Sequence, residues 1–175
     1  SKSSPTMSPT TASMSIPSID LNEPYGFGAL YFYLGGTATG NTVTGAINRV
    51  NTHPNGWDGC HDVIKEGSGD WTLSGSSGYN GNTYVRGGNL IAGTNAPNNG
   101  NGAFGKQTSD LDLGVANGND DAGILIGGPF TIGRVVRVQS QNSADSGTRV
   151  LTLGGTTADS SVFSNSIILG DNNNA

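Results

Sequence analysis

Apolar residues along the chain come in short runs that Gly and Asn interrupt. Examples are ALYFYLGG, NTYVRGGNLIAG, GILIGG and TRVLTLGG. In the first of these, Leu30, Phe32 and Leu34 alternate with Tyr31 and Tyr33, which predicts a strand with the first three side chains inward and the tyrosines outward. Turn signals recur at a spacing of roughly 8–12 residues. The pattern predicts an all-β chain, built as a sandwich, a barrel or a solenoid.

Composition removes several other classes of protein. The chain has 175 residues, 29 of them Gly, and only 12% are charged, whereas disordered chains combine low hydrophobicity with high charge. A net charge of −5 with only eight Lys and Arg argues against nucleic acid as a partner. No apolar run approaches the roughly 18 residues that span a bilayer, so no membrane span is predicted. Cys60 is the single cysteine, which excludes an intrachain disulfide.

Two features divide the chain. Residues 1–18, SKSSPTMSPTTASMSIPS, are rich in Ser, Thr and Pro, and predict an extended N-terminal arm, free or packed on something else. Residues 19–175 predict the β domain. Within it the segment 30–47 is similar to 149–167, since both contain LGGT and end in Ile. A long-period repeat of strands favours stacked rungs, as in a β-solenoid.

One motif of the chain is similar to that of a known family. The segment 67–93, GSGDWTLSGSSGYNGNTYVRGGNLIAG, resembles the autotransporter-associated β-strand repeat of bacterial passenger domains. The matching positions are Gly67, Gly69, Trp71, Thr72, Leu73, Ser74, Gly75, Tyr79, Gly81, Thr83, Val85, Gly88 and Leu90. The resemblance implies a right-handed parallel β-helix, secreted, with a surface or adhesive role.

In such a coil, glycines are expected at the corners and apolar residues in the core. The glycines predicted to adopt positive φ at corners are Gly75, Gly78, Gly81, Gly87 and Gly88. The side chains predicted to stack inward on those of adjacent rungs are Leu73, Val85, Leu90 and Ile91.

Reactive side chains gather at two places. The segment HPNGWDGCHD contains His53, Asp58, Cys60, His61 and Asp62. Its spacing fits no common zinc signature, which disfavours a metal site. Neighbouring Cys60 and His61 would lie on opposite faces of a strand, which disfavours a Cys–His nucleophile still more. We therefore interpret the segment as an inserted loop, with metal binding and then catalysis as the less favoured alternatives.

The second place is acidic. Asp110, Asp112, Asp120 and Asp121 favour a solvated turn over a calcium site, because no EF-hand Glu follows. Asp110 and Asp112 would point the same way, as paired glycosidase carboxylates do, but nothing places a general acid opposite them. Arg134 and Arg137 are predicted as cross-strand partners of acids.

The sequence thus predicts a protein that is not an enzyme, with no cofactor and no metal. It is expected to be a structural subunit of a self-assembling extracellular filament or bacterial surface fibre. The expected partner is the chain itself, stacked end to end as a homopolymer or exchanging its arm with a neighbour, with surface glycans as further partners. The predicted self-association residues are Ile16, Ile19, Leu21, Tyr31, Tyr33, Ile167, Ile168 and Leu169. The alternatives are a carbohydrate-binding or carbohydrate-cleaving β-helix and a fragment of a long autotransporter adhesin.

Overall fold

The computed structural model describes residues 4–22, 30–50, 59–106, 108–141 and 147–171. Within these ranges the chain forms β-strands and no helix. The strands are β1 (Thr6–Met7), β2 (Ser15–Ile16), β3 (Ile19–Asn22), β4 (Leu30–Leu34), β5 (Asn41–Val43), β6 (Ile47–Val50), β7 (His61–Lys65), β8 (Trp71–Leu73), β9 (Thr83–Val85), β10 (Gly88–Ala92), β11 (Leu111–Leu113), β12 (Ala122–Ile126), β13 (Thr131–Ile132), β14 (Val136–Gln139), β15 (Leu151–Gly155), β16 (Val162–Phe163) and β17 (Ile167–Asp171).

The strands form three faces of a coil, and all strand pairs are parallel. The first face has the order β1-β4-β7-β9-β11-β14-β17, and the second has the order β2-β5-β8-β10-β12-β15. The third face consists of the pairs β3-β6 and β13-β16, with a parallel bridge between Ala96 and Ile132. The chain is therefore a β-solenoid of about five turns, which confirms the predicted fold class. The handedness of the coil stays a prediction.

The core consists of ladders, in which one inward position of every rung stacks on the same position of the next. On the first face, ladder 1 runs through Phe32, Val63, Thr83, Leu111, Val136 and Ile167, and ladder 2 through Met7, Leu34, Lys65, Val85, Leu113, Val138 and Leu169. On the second face, ladder 3 runs through Ile16, Val43, Leu73, Ala92, Ile126 and Gly155, and ladder 4 through Asn41, Trp71, Leu90, Ile124 and Leu153. Because neighbouring strands lie roughly 4.8 Å apart, each ladder member packs on the members above and below it.

The alternation predicted for β4 is confirmed. Phe32 and Leu34 are buried, whereas Tyr31 is exposed and Tyr33 is half-buried on the outer side. The inward positions predicted for Leu73, Val85 and Leu90 are also confirmed. The prediction for Ile91 is wrong, since Ile91 pairs with Thr72 and Leu125 on the outer side of the second face, and strand geometry turns it away from its neighbour Leu90.

The glycines of the motif serve mainly close approach rather than positive φ. Of the five predicted corner glycines, only Gly88 has a positive φ, of 60°. A Cβ at Gly75 would lie 2.1 Å from the carbonyl carbon and oxygen of Gly45, and one at Gly81 would lie 2.3 Å from backbone atoms of His61. At these two corners the rungs touch through their backbones, so no other residue fits.

The segment predicted as an extended arm lies along the coil. β1 pairs with β4 and β2 pairs with β5, so both strands belong, together with β3, to the first rung. The carbonyls of Pro5, Met7 and Pro9 accept hydrogen bonds from backbone N–H groups of the second rung. The arm is extended and ordered by packing on its own chain.

The two similar segments occupy different faces. Segment 30–47 begins with β4 on the first face and ends at β6 on the third, whereas segment 149–167 begins with β15 on the second face and ends at β17 on the first. Equivalent residues are therefore shifted by one face around the coil. The rungs between the two copies differ in length, which moves the second copy out of phase with the first.

Candidate assembly surface at the open end

The last strand of each face has a neighbour on only one side within the described residues. These strands are β17 on the first face, β15 on the second and β16 on the third, and together we call them the open end. Their other edges present backbone N–H and C=O groups that no described strand pairs. Such edges are templates for a further strand.

Apolar core positions become surface at the open end. Ladder 1 is at most 1% exposed from Phe32 to Val136, but its last member Ile167 is 42% exposed. Ladder 2 ends at Leu169, which is 74% exposed. Leu151, Leu153 and Phe163, at inward positions, are only partly buried. Val150 and Val162 are also exposed, but they lie on the outer side, where Val162 pairs with the half-buried Thr131. Large exposed apolar side chains gathered in one place mark an interaction surface.

The opposite end of the coil is the first rung, formed by β1, β2 and β3. Its strands also have neighbours on one side only within the described residues. Ile19 and Leu21 are buried, whereas Met7, Met14 and Ile16 are partly buried and pack on the core. The first rung therefore presents less apolar surface than the open end does.

The structure separates the predicted self-association residues into three places. Ile16, Ile19 and Leu21 lie in the first rung, Ile167, Ile168 and Leu169 lie at the open end, and Tyr31 and Tyr33 lie on the outer side of the first face. Sequence reasoning missed the contributions of Leu151, Leu153 and Phe163 to the open end. Their alternation of apolar and polar residues is the same as in the buried strands. Only their position in 149–167, the second of the two similar segments, indicated that they lie near an end of the coil.

Two charged residues inside the coil were also missed. Lys65 stands in ladder 2, is fully buried, and its Nζ donates to the carbonyls of Glu66, Gly67 and Gly87, each at 2.8 Å. Burial lowers the pKa of Lys65 to about 8, against the opposing effect of nearby Asp70 and Glu66. The ammonium thus ties together the corners of two successive rungs.

Arg134 does the same on the other side of the coil. Its guanidinium is buried and donates to the carbonyls of Phe104 and Ser109 and to Ser109 Oγ, rather than to the carboxylate that the sequence predicted. Arg137, by contrast, forms the predicted ion pair with Asp110. The difference follows from their places, since Arg134 lies buried in the bend before β14, whereas Arg137 is an outward position of β14.

Tyr79 extends this buried polar region. Its hydroxyl lies 2.7 Å from Thr83 Oγ1, and Thr83 in turn donates to the carbonyl of Phe104. Burial raises the pKa of Tyr79 to about 12, with the hydrogen bond to Thr83 acting in the opposite direction. These groups fasten the 94–110 connection to the coil.

The described part of the reactive segment 53–62 is Gly59 to Asp62. Cys60 is exposed and His61 is buried, with Nδ1 3.2 Å from the carbonyl oxygen of Gly59. Asp62 accepts a hydrogen bond from the backbone N–H of Asn82 at 2.7 Å, and burial raises its pKa. His53 and Asp58 lie outside the described residues. Among the described residues, no three His, Cys, Asp or Glu side chains are placed to hold a metal ion.

Polar side chains form a groove on the outer side of the first face. Its cavity is about 330 Å³, and we call it the outer groove; its lining is Asn82, Tyr84, Ser109, Asp110, Asp112 and Arg137. Asn82 Nδ2 donates to the hydroxyl of Tyr84 at 2.9 Å, and Gln139 Nε2 donates to Asp112 at 3.1 Å. Asp110 and Asp112 do point to the same side. They hold cross-strand partners here, so the groove is a preformed, mostly polar surface.

A second cavity, of about 650 Å³, lies where the first and second faces meet. Asp120 and Asp121 line it and are both exposed. Asp121 accepts a hydrogen bond from the backbone N–H of Val150 at 2.6 Å, which joins the turn to the next rung. The turn therefore has a structural role in holding the open end.

Comparison with known proteins adds no relative. No family model matches the chain, and neither a curated protein nor a solved structure is significantly similar to it. The autotransporter-associated repeat therefore stays a prediction from the motif. In the described ranges we find no helix that is long and apolar enough to cross a membrane.

Proposed function

We propose that the chain is a non-enzymatic structural subunit that assembles into an extracellular filament or surface fibre through its open end. The observation that carries the proposal is the course of ladders 1 and 2, which end in the exposed side chains of Ile167 and Leu169. Apolar surface of this kind is stabilised when it is removed from water, at about 25 cal/mol per Å². The edges of β15, β16 and β17 beside it, which no described strand pairs, orient the incoming subunit, because their backbone N–H and C=O groups pair only with a strand in register.

The interior of the coil supports a structural role. Two of its buried charged groups, Lys65 and Arg134, donate hydrogen bonds to backbone carbonyls, and some of these carbonyls belong to neighbouring rungs. Glycines allow the backbones of adjacent rungs to pack closely, and buried charged side chains hydrogen-bond between rungs. Both features make the coil rigid. A rigid rod with complementary edges is the form that a fibre subunit needs.

The extracellular location rests on the motif. The resemblance of residues 67–93 to passenger-domain repeats implies secretion and a bacterial surface, and we propose that location for this chain. In the structure the arm pairs with its own second rung, so we propose end-to-end stacking rather than arm exchange as the mode of assembly.

Assembly of the purified chain tests the proposal. Sedimentation velocity over a wide concentration range, with negative-stain electron microscopy, is expected to show growth with concentration and rods of uniform width. Leu169→Asp should shift assembly to at least tenfold higher concentration, because a carboxylate at the contact loses its hydration. Circular dichroism checks that this variant is folded.

Tyr31→Asp is the matched control. Tyr31 is 41% exposed, close to the 42% of Ile167, but it lies on the outer side of the first face. It should leave assembly unchanged. Loss of assembly in Tyr31→Asp alone would show that the contact is lateral. If the unmodified chain stays monomeric at every concentration, the proposed function is wrong.

The outer groove favours a second candidate function, which is binding of a neutral oligosaccharide. Its carboxylates, amide and guanidinium offer both acceptors and donors to sugar hydroxyls, and Tyr84 adds an apolar ring. Asp110 and Asp112 would repel acidic sugars. A glycan array with neutral oligosaccharides tests this, with Asp112→Asn and Tyr84→Ala expected to abolish binding and Tyr31→Ala, outside the groove, as the control. Absence of binding by the unmodified chain excludes this second candidate.

A further inference from the structure

We infer that the open end receives the first rung of a second copy of this chain, head to tail, in the register of the existing ladders. This inference rests on the proposed function and specifies its contact. The partner strands are β1 on β17, β2 on β15 and β3 on β16. Each face then continues across the junction with parallel pairing, as it does within the coil.

The first face gives the register directly. Met7 of β1 begins ladder 2, and Leu169 is its last member within the described residues, so Met7 of the next copy would continue this ladder beyond Leu169. On the outer side, Thr6 begins the row that passes through Tyr33 and ends at Ile168. The junction therefore places Met7 beside Leu169, and Thr6 beside Ile168.

The second face fits the same junction. Ladder 3 begins at Ile16 and ends at Gly155, so a large side chain of the incoming rung meets a position with no side chain. Met14 precedes β2 and lies beside Asn41 of ladder 4, which ends at the partly buried Leu153. On the third face β3 would follow β16, but this face gives no register, because Ile19 and Leu21 of β3 are already buried in the single chain.

Backbone hydrogen bonding also leaves the required groups facing outward. In a parallel sheet, the N–H and C=O groups of one residue both point to one neighbouring strand, and those of the next residue point to the strand on the other side. The carbonyls of Met7, Met14 and Ile16 accept from the second rung. The backbone groups of Thr6 and Ser15 therefore face away from the second rung and toward an incoming strand.

A two-fold contact between two open ends fits less well. It would cover Leu169 and Ile167 but would leave the partly buried Met7, Met14 and Ile16 of both first rungs uncovered. It would also close after two copies, because a two-fold interface is satisfied by a dimer. Head-to-tail contact covers both ends and repeats without closing.

Cysteine cross-linking tests the register. In a Cys60→Ser background, which removes the exposed native thiol, the double variant Thr6→Cys with Ile168→Cys places two thiols on adjacent parallel strands. Such positions lie roughly 4.8 Å apart at Cα, within the range of about 4.4–6.8 Å that a disulfide spans. Mild oxidation should give a ladder of covalent multimers on a non-reducing gel. A mixture of the two single variants should give covalent dimers only.

The outcomes separate this inference from the proposed function. If rods form but the double variant gives no multimers, or if either single variant cross-links to itself, head-to-tail contact in this register is wrong and the assembly function stands. If the unmodified chain forms no rods, the proposed function itself fails.

A capping experiment gives a second readout. A Leu169→Asp chain has a blocked open end and an unchanged first rung, so at one part in ten it should add to growing ends and shorten the rods several-fold. Unchanged rod length, with the variant absent from the pelleted rods, would overturn the inference.

Discussion

The middle of the coil and its open end are built from the same ladders, yet one is core and the other is surface. Leu111 and Ile167 occupy ladder 1 two rungs apart, and the first is fully buried while the second is 42% exposed. Leu113 and Leu169 differ in the same way in ladder 2. The comparison shows that in ladders 1 and 2 the burial of a side chain depends on the presence of the next rung, since the residue types and strands are alike.

Truncation of a leucine in each region is expected to give the largest difference. Leu111→Ala should lower the free energy of unfolding by about 2–5 kcal/mol, because it leaves a cavity between two rungs. Leu169→Ala should lower it by less than about 0.5 kcal/mol in the monomer, since its side chain is already in water. Urea unfolding followed by circular dichroism at low concentration measures both, and equal losses would contradict the comparison.

A glycine pair tests close approach in the same two regions. Gly75→Ala places a Cβ 2.1 Å from the backbone of Gly45, and is expected to cost about 1–3 kcal/mol or more, because the rungs must move apart. At Gly154, in β15, the nearest atom to a new Cβ is 4.0 Å away on Leu125, so Gly154→Ala should change stability by no more than about 0.5 kcal/mol. Thermal unfolding at low concentration compares the two, and a costly Gly154→Ala would show that the open end is packed more tightly than described.

Lys65, in the middle of the coil, predicts that the free energy of unfolding depends on pH. Lys65 has a pKa of about 8 in the folded chain and about 10.5 in the unfolded chain, so between these values the unfolded state binds more protons. Stability should therefore rise with pH from about 8 upward and fall as pH drops through 8, by roughly 1–3 kcal/mol in all. Measurement between pH 7 and 9.5 avoids titration of the tyrosines.

Lys65→Met should abolish this rise, whereas Lys106→Met, at an exposed position, should retain it. If both variants keep the rise, another group is responsible. Lys65→Met is also expected to be less stable than the unmodified chain, because three carbonyls lose their donor.

The chain shows how far pattern alone reaches. Alternation in ALYFYL predicted which side of β4 faces the core, because a strand turns successive side chains to opposite sides. The same rule predicts that Ile91 points outward, because its neighbour Leu90 points inward. The prediction that Ile91 points inward was wrong because it followed the hydrophobicity of the residue instead of the alternation. Glycine content predicted turns, but the role of Gly75 and Gly81 in rung contact depends on backbones that are far apart in sequence.

The charged interior was beyond prediction for a similar reason. Lys65 follows the apolar pair Val63 and Ile64, which predicts that it ends a strand, and Arg134 begins the run RVVRV. Their partners include carbonyls of other rungs, 22 residues away for Lys65 and 30 for Arg134. A sequence names donors but does not show which carbonyls the fold leaves without one.

By itself, the sequence determined the local structure of this protein: short strands, glycine turns, inward and outward sides, and from these a coil of stacked rungs. Only the tertiary structure decided which similar segments share a face, which charges enter the core and where the ladders end. Strand alternation is fixed by the geometry of neighbouring residues, whereas burial is fixed by residues one rung away, whose distance along the chain varies from rung to rung.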